Sequence, residues 1–251
     1  MAERPEILLL HGGHFDGTMW SGVVAALPGA RCHAPDLPGH GRRRAETFAT
    51  LEAAADDVAE RLRGGRAPDL VVGLSLGGYV ALTLAARHPA LVPRLLISGV
   101  HAGAMPRRRA MRLAMRAALP FMRIAAVRRL SARAMGASDG RAIDAADGSS
   151  RVTLPTLRAL AEAVIDFDGR EALPRIAAPC LVLAGEEEQA FIRRSLPVFT
   201  DSMPACEARI VRGQGHAWNL SAPDLFARTV RAWLTGAALP KTLSKLGEDA
   251  L

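Results

Sequence analysis

The chain has 251 residues, and 49% of them are hydrophobic, which is enough for one large core but too few for two comfortable enzyme domains. Its formal net charge is +7, yet the basic residues form no stripe with stacking aromatics, and lysine occurs only at Lys241 and Lys245. This pattern excludes a groove-reading nucleic-acid partner, and no apolar run approaches the roughly 20 residues of a membrane span.

The cysteines indicate a reducing compartment. Cys32, Cys180 and Cys206 are odd in number and widely spaced, with no histidine at metal-ligand spacing. The first apolar run, at residues 7–10, is too short for the core of a signal peptide. We therefore predict a cytoplasmic protein that acts on a small molecule and has no metal site.

Short apolar runs flanked by turn residues predict six strands. These runs are 7–10, 30–34, 70–72, 95–97, 180–184 and 208–211. Alanine- and leucine-rich stretches with helical periodicity lie between most of them, at 51–62, 77–87 and 226–234. Strands that alternate with helices predict an α/β fold whose mostly parallel sheet is covered on both faces.

The alternation stops for about seventy residues after the fourth predicted strand, which is far longer than an ordinary connection. We predict a helical lid at 101–170, a core of 1–100 and 171–236, and a tail at 237–251. Within the lid, one predicted helix has an apolar face and a basic face. The apolar face consists of Met111, Met115, Ala118, Leu119 and Met122, and it predicts packing in the core or contact with an apolar substrate. The basic face consists of Arg109, Arg112, Arg116 and Arg123 and is predicted to be solvated.

A sharp strand-to-helix turn is predicted around Ser75. The segment Gly73-Leu74-Ser75-Leu76-Gly77 follows the third predicted strand and precedes a strongly helical run. Such a turn projects the serine hydroxyl above the sheet, and crowding there requires glycine two positions before and two after. The backbone N–H of Leu76, at the helix N-terminus, favours negative charge developing on a substrate. The pattern predicts a nucleophile elbow.

With this elbow, the chain resembles the α/β-hydrolase family over almost its whole length. The family is similar in two further segments, His11-Gly12-Gly13 after an early strand and Asp36-Leu37-Pro38-Gly39-His40-Gly41 after the next. The resemblance implies that the Gly13 N–H joins that of Leu76 in an oxyanion hole, and that His11 and Asp36 are structural. His14 lies beside this hole and either contacts substrate or is an exposed loop residue.

A serine hydroxyl needs a general base at neutral pH, and seven histidines compete for that role. His216 follows the last predicted strand, within Gly213-Gln214-Gly215-His216, and precedes the last helix. This loop is similar to the family's histidine loop, so His216 is the predicted base. His101, at the entrance of the insertion, is a candidate substrate-binding residue.

The acid that orients the base should lie between serine and histidine in chain order, after a strand end. Gly185-Glu186-Glu187-Glu188 occupies that place. The family usually shows Gly-Glu-x-Asp here, and alignment on Gly185 favours Glu188, where aspartate is commoner. Glu186, Glu187 or an acid elsewhere are alternatives, and the three glutamates also fit a solvated loop.

These residues predict a serine hydrolase that cleaves an ester or thioester of a small to medium, largely apolar acyl substrate. Ser75, His216 and Glu188 would form the triad, an acyl-enzyme would form, and neither metal nor organic cofactor is required. One alternative is a non-hydrolytic member of the fold, such as a lyase, cyclase or carbon–carbon bond-cleaving enzyme, in which His216 is the general base. Another is a non-enzymatic receptor for a small ligand.

The resemblance implies a shortened sheet. Family members commonly begin with a two-stranded hairpin that has no counterpart here, so we predict about six strands, with the strand near Cys32 at an edge. An uncovered edge invites pairing, which makes a homodimer through this strand a further prediction.

Overall fold

The computed structural model describes residues 3–124 and 152–247, and within these ranges seven strands form one sheet. The sheet order is β2-β1-β3-β4-β5-β6-β7; β1 to β6 are parallel and β7 is antiparallel. The strands are β1 (Glu6–Leu10), β2 (Arg31–His33), β3 (Leu70–Leu74), β4 (Leu95–Ser98), β5 (Cys180–Gly185), β6 (Cys206–Val211) and β7 (Leu243–Lys245). The predicted mostly parallel α/β sheet is confirmed.

Helices cover both faces of the sheet. They are α1 (Ser21–Ala25), α2 (Leu51–Leu62), α3 (Leu76–Arg87), α4 (Arg108–Ala118), α5 (Leu154–Asp166), α6 (Ala190–Arg193), α7 (Leu196–Ser202), α8 (Trp218–Ser221) and α9 (Pro223–Thr235). Among the described residues, no helix has the length and apolar character needed to cross a bilayer.

The core has two halves because successive strand residues point to opposite faces of the sheet. In β1, Leu8 and Leu10 join the cluster under α2 and α3, whereas Ile7 and Leu9 join the cluster under α1 and α9. Burial on both faces explains why β1, β3, β4 and β5 appear as largely continuous apolar runs in the sequence.

β7 is a strand that the sequence analysis did not predict. Leu243 pairs with Val211 of β6 and is buried, although it lies in the segment predicted to be a tail. The six predicted strands thus correspond to the six parallel strands, and the antiparallel β7 is the seventh strand of the sheet. A strand of three residues with one clear apolar position is too short to show a period of two.

β2 lies at one edge of the sheet, which is the position predicted for the strand near Cys32. It pairs with β1. The homodimer through this edge stays a prediction, and a monomeric mass in solution would contradict it.

The described part of the insertion is helical: α4, a 3₁₀ turn at Leu119–Arg123, and α5. Residues 125–151 of the predicted lid lie outside the described residues. The orientation of α4 differs from the expectation, because Arg112 and Arg116 bond to Asp166 and Glu162 of α5 while Met111 is exposed. The arginine side of α4 therefore pairs with acids on α5 instead of being solvated, while Leu119 of the methionine side packs on the core. The acidic partners could not be assigned to α4 from its own periodicity.

Candidate active site

The three predicted triad residues all follow carboxyl ends of parallel strands. Ser75 directly follows β3, Glu188 lies shortly after β5, and His216 lies in the loop after β6. Carboxyl ends of parallel strands meet at one edge of the sheet, and that edge is where α/β proteins place their sites. The topology therefore brings together three residues that are far apart in sequence.

Ser75 has the backbone geometry expected of a nucleophile elbow. Its φ of 54° and ψ of −121° lie in a region that non-glycine residues rarely adopt, and its N–H donates to the carbonyl of Ser98 at 2.8 Å. A Cβ at Gly73 would lie 2.3 Å from the Gly77 carbonyl oxygen, and one at Gly77 would lie 2.0 Å from that of Leu10. The two glycines are thus required by close backbone contacts, as the sequence predicted.

His216 is paired with Glu188. Its Nδ1 donates to Glu188 Oε1 at 2.8 Å, and the Glu188 side chain is buried. Burial by itself lowers the pKa of His216, but the charge and hydrogen bond of Glu188 outweigh it, so the pKa is raised above the usual histidine value. This hydrogen bond fixes the tautomer in which Nε2 carries the lone pair, which is the arrangement a general base requires.

The other two glutamates of the acidic run do not reach the histidine ring. Glu186 is exposed, and its Oε2 accepts from the Gly213 N–H at 2.8 Å, which ties the β5 loop to the histidine loop. Glu187 is exposed, and its backbone N–H donates to the Gln214 carbonyl. Of the three candidates, Glu188 alone contacts His216 through its side chain within the described residues.

The loop after β1 lies against the nucleophile turn. A Cβ at Gly12 would be 3.7 Å from the Ser75 Cβ, and one at Gly13 would be 3.6 Å from the Leu76 Cβ. Leu76 is the first residue of α3, where backbone N–H groups point out of the helix. The backbone of Gly13 and that of Leu76 therefore approach each other beside Ser75, in the positions predicted for the oxyanion hole.

Buried histidines hold this loop in place. His11 donates from Nδ1 to the Gly12 carbonyl at 2.9 Å and accepts the Leu37 N–H at Nε2, while Nε2 of His40 lies 3.0 Å from the Gly13 carbonyl. Asp36 accepts backbone N–H groups at both carboxylate oxygens. These contacts agree with structural roles for His11 and Asp36.

The two predicted substrate-contacting histidines lie in different surroundings. His14 is half-buried, and burial lowers its pKa to about 4, with further contributions from the charges of His40 and His216. His101 is buried, and its ring nitrogens lie 2.8 Å from the Gly103 carbonyl and 3.1 Å from that of Val164. His14 thus lies within electrostatic range of His216, whereas His101 ties the end of β4 to α5.

Helix α5 covers the loop after β1, which we name the oxyanion loop for the predicted role of Gly13. Cδ1 of Leu160 lies 3.1 Å from the position that a Cβ on Gly13 would take, and Leu157 and Leu160 are both buried. The sequence analysis did not identify these leucines as site residues, because nothing in the insertion's own pattern tells which strand end it covers. Leu160 thus places apolar side-chain atoms beside Gly13.

Gly99 is a second site residue that the sequence analysis missed. It follows β4 with a φ of +69°, and a Cβ there would lie 2.7 Å from His216 Cε1 and 3.4 Å from Glu188 Oε2. Only glycine leaves room for the His216 ring and the Glu188 carboxylate at this point. The signal in the sequence was a glycine at a strand end, which is also common in ordinary turns.

Replacing Gly99 by alanine is expected to lower kcat by about 100-fold, because the new methyl group displaces the His216 imidazole by roughly an ångström. Gly64→Ala is the matched control, since Gly64 also has a positive φ, of +78°, but no described atom lies within 4 Å of its Cβ position. Steady-state kinetics of both variants, with thermal melts, separate backbone strain from the collision. Equal loss of kcat in the two variants would contradict the assignment.

Comparisons with known proteins identify relatives of the whole chain. A family model described as the alpha/beta hydrolase family matches residues 7–229. The pimeloyl-[acyl-carrier protein] methyl ester esterase of Aeromonas hydrophila is 27% identical over 245 residues, covering 91% of this chain and 94% of that enzyme. The enzyme of the same name from Aromatoleum aromaticum is 46% identical over 99 residues, but this match spans 38% of the chain and only 37% of that enzyme.

Among solved structures, an esterase from Exiguobacterium antarcticum superposes with a TM-score of 0.81 at 18% identity, covering 94% of this chain and 93% of the other. At that identity the likeness concerns the fold alone. The family match spans most of the sequence, including the elbow, the acidic run and the histidine loop. The chain therefore belongs to the alpha/beta hydrolase family.

Proposed function

We propose that this chain is a carboxylic ester hydrolase in which Ser75 is the nucleophile, His216 the general base and Glu188 the acid that orients the base. The observation that carries the proposal is the 2.8 Å hydrogen bond from His216 Nδ1 to buried Glu188, at the same edge of the sheet as a serine held in a strained elbow. The relative from Aeromonas hydrophila, which aligns over nearly its whole length, is by name an esterase.

In the proposed reaction, His216 Nε2 takes the hydroxyl proton of Ser75 as Oγ attacks the ester carbonyl, and the carboxylate of Glu188 stabilises the imidazolium. The N–H groups of Gly13 and Leu76 hold the oxyanion of the tetrahedral intermediate. The intermediate collapses to an acyl-enzyme as the leaving alcohol takes the proton from His216. Water, deprotonated by the same histidine, then releases the acid and restores Ser75.

The apolar side-chain atoms beside Gly13 support an acyl group of small to medium length that is largely apolar. The three heavy atoms nearest to the position that a Cβ on Gly13 would take are all aliphatic carbons, two of them from Leu160. Oxygen esters come first because the full-length relatives from Aeromonas hydrophila and Vibrio vulnificus are named for a methyl ester. Thioesters of the same acyl groups are the second class.

The test is a panel of methyl and p-nitrophenyl esters of increasing acyl length, with matching thioesters, assayed on wild type and Ser75→Ala. Turnover of medium apolar esters by wild type alone is the expected result. Absence of acyl-ester turnover by folded protein would overturn the proposal. Tight binding of a small ligand without turnover would then favour a receptor, and His216-dependent proton transfer without an acyl-enzyme would favour a non-hydrolytic enzyme.

The acid limb of the pH profile of kcat/KM is expected to lie above the ordinary pKa of a histidine. The base must be unprotonated, so the rate rises with pH through the pKa of His216, which Glu188 raises. Glu188→Gln removes the raising influence and leaves burial, which moves the acid limb to lower pH. Glu187→Gln is the control and should leave the limb in place. An unchanged limb in Glu188→Gln would show that another group sets it.

A further inference from the structure

The outward surface of the α4 segment is both apolar and basic. Four of the six large apolar side chains exposed among the described residues lie here: Leu113 is 71% exposed, Phe121 58%, Ile124 51% and Met111 42%. Monomeric soluble proteins seldom leave such side chains clustered without a function. This surface, which we call the α4 face, consists of Arg107–Arg109, Leu113, Phe121 and Ile124, whereas Met111 lies on the other side of the helix from Leu113.

Two ion pairs fix the orientation of α4 that exposes these side chains. Arg116 bonds to Glu162 of α5 at 2.7 Å, and Arg112 bonds to Asp166 one turn further along. Because these arginines point toward α5, the opposite side of the helix, with Ala110, Leu113, Ala114 and Ala117, is exposed. The side of α4 that carries Leu113 therefore faces away from the protein core.

The charge of the segment has one sign. Residues 101–124 contain six arginines and no aspartate or glutamate. Arg107, Arg108 and Arg109 are exposed and make no ion pair within the described residues, whereas Arg112 and Arg116 are neutralised by α5. Free guanidinium groups at one end of an exposed apolar stripe are complementary to an anionic, apolar layer.

We propose that the α4 face docks on an anionic phospholipid surface, with Leu113 and Phe121 entering the headgroup region and Arg107–Arg109 binding lipid phosphates. An acidic protein would satisfy the arginines but leaves the large exposed apolar side chains unexplained unless it also carries a matching groove. A membrane interface satisfies both without shape complementarity. Since α4 packs on α5, and α5 on the oxyanion loop, docking places the site close to lipid-dissolved molecules.

The probe is sedimentation of the full chain with phosphatidylcholine vesicles, with and without phosphatidylglycerol. Wild type is expected to sediment only with the anionic vesicles, and less so at high salt. Arg107→Gln, Arg108→Gln and Arg109→Gln combined should weaken partitioning by about 100-fold. Leu113→Ser should weaken it by about tenfold, as expected for one apolar side chain removed from the lipid. Both variants change only exposed residues and should fold normally.

Matched controls separate the α4 face from net charge. Arg44→Gln, Arg194→Gln and Arg228→Gln combined remove the same charge from exposed positions elsewhere, and Val24→Ser removes an exposed apolar side chain from α1. Both controls should bind as wild type does.

Four outcomes would overturn the proposal. They are wild type that stays in the supernatant, equal losses in variant and control, binding that needs the arginines but not Leu113, and a dimer in sedimentation velocity that Leu113→Ser disperses. The third would favour an acidic protein and the fourth a second copy of this chain. Vesicle binding is measured without substrate, so its failure leaves the proposed esterase activity untouched.

Discussion

Ser75→Ala is expected to lower kcat by about 10⁴- to 10⁶-fold while leaving the fold intact. The hydroxyl is the attacking group, and no other serine or cysteine follows a strand end in an elbow among the described residues. Alanine carries the same Cβ as serine, so the backbone strain at a φ of 54° is the same for both residues. Steady-state hydrolysis of the best ester in the panel, with circular dichroism as a check, measures the effect.

Ser98→Ala provides a control for the loss of a nearby buried hydroxyl. Ser98 lies at the end of β4 and accepts the Trp218 indole N–H, at 2.9 Å, so its replacement should reduce stability more than kcat. Residual activity in Ser75→Ala within tenfold of wild type would mean that a different group attacks the substrate.

Glu188→Gln is expected to lower kcat by about 10⁴-fold, the second largest effect. Glutamine preserves the shape of the side chain, but its amide can donate to Nδ1 and stabilise the wrong imidazole tautomer. It also removes the negative charge that stabilises the imidazolium in the transition state. The measurement is kcat for Glu188→Gln beside Glu187→Gln and Glu186→Gln, and the last two should retain most of the wild-type rate.

Glu188→Asp tests the departure from the family's usual aspartate. The His216 contact is made at 2.8 Å by the longer glutamate side chain, so a carboxylate one methylene shorter should leave a gap and an intermediate rate. Activity in Glu188→Gln equal to wild type would transfer the role to another acid. Full activity in Glu188→Asp would show only that the loop adjusts.

The strands and the elbow could be predicted because their signals are local. Four of the six parallel strands, β1, β3, β4 and β5, are buried along their whole length and are largely apolar. The turn at Ser75 requires glycine at two nearby positions for steric reasons. Chain order and strand ends then brought His216 and Glu188 to the same edge. The choice among three consecutive glutamates rested on the family resemblance, through alignment on Gly185, and the contact with His216 involves the one favoured.

The features that were missed depend on contacts between distant segments. Gly99 is required because His216 lies 2.7 Å from where its Cβ would be, and the orientation of α4 depends on acids about fifty residues further along. Leu243 forms a strand only because the edge of β6 is available to it. A local pattern carries no information about such partners.

The central claim is that Ser75 is activated by a His216–Glu188 pair, and covalent labelling tests it most directly. Intact-mass spectrometry after treatment with a fluorophosphonate should show one adduct on wild type, mapped to Ser75 by peptide analysis. The same adduct should be absent from Ser75→Ala and His216→Ala. An adduct at another residue, or a folded wild-type protein that takes none, would contradict the account.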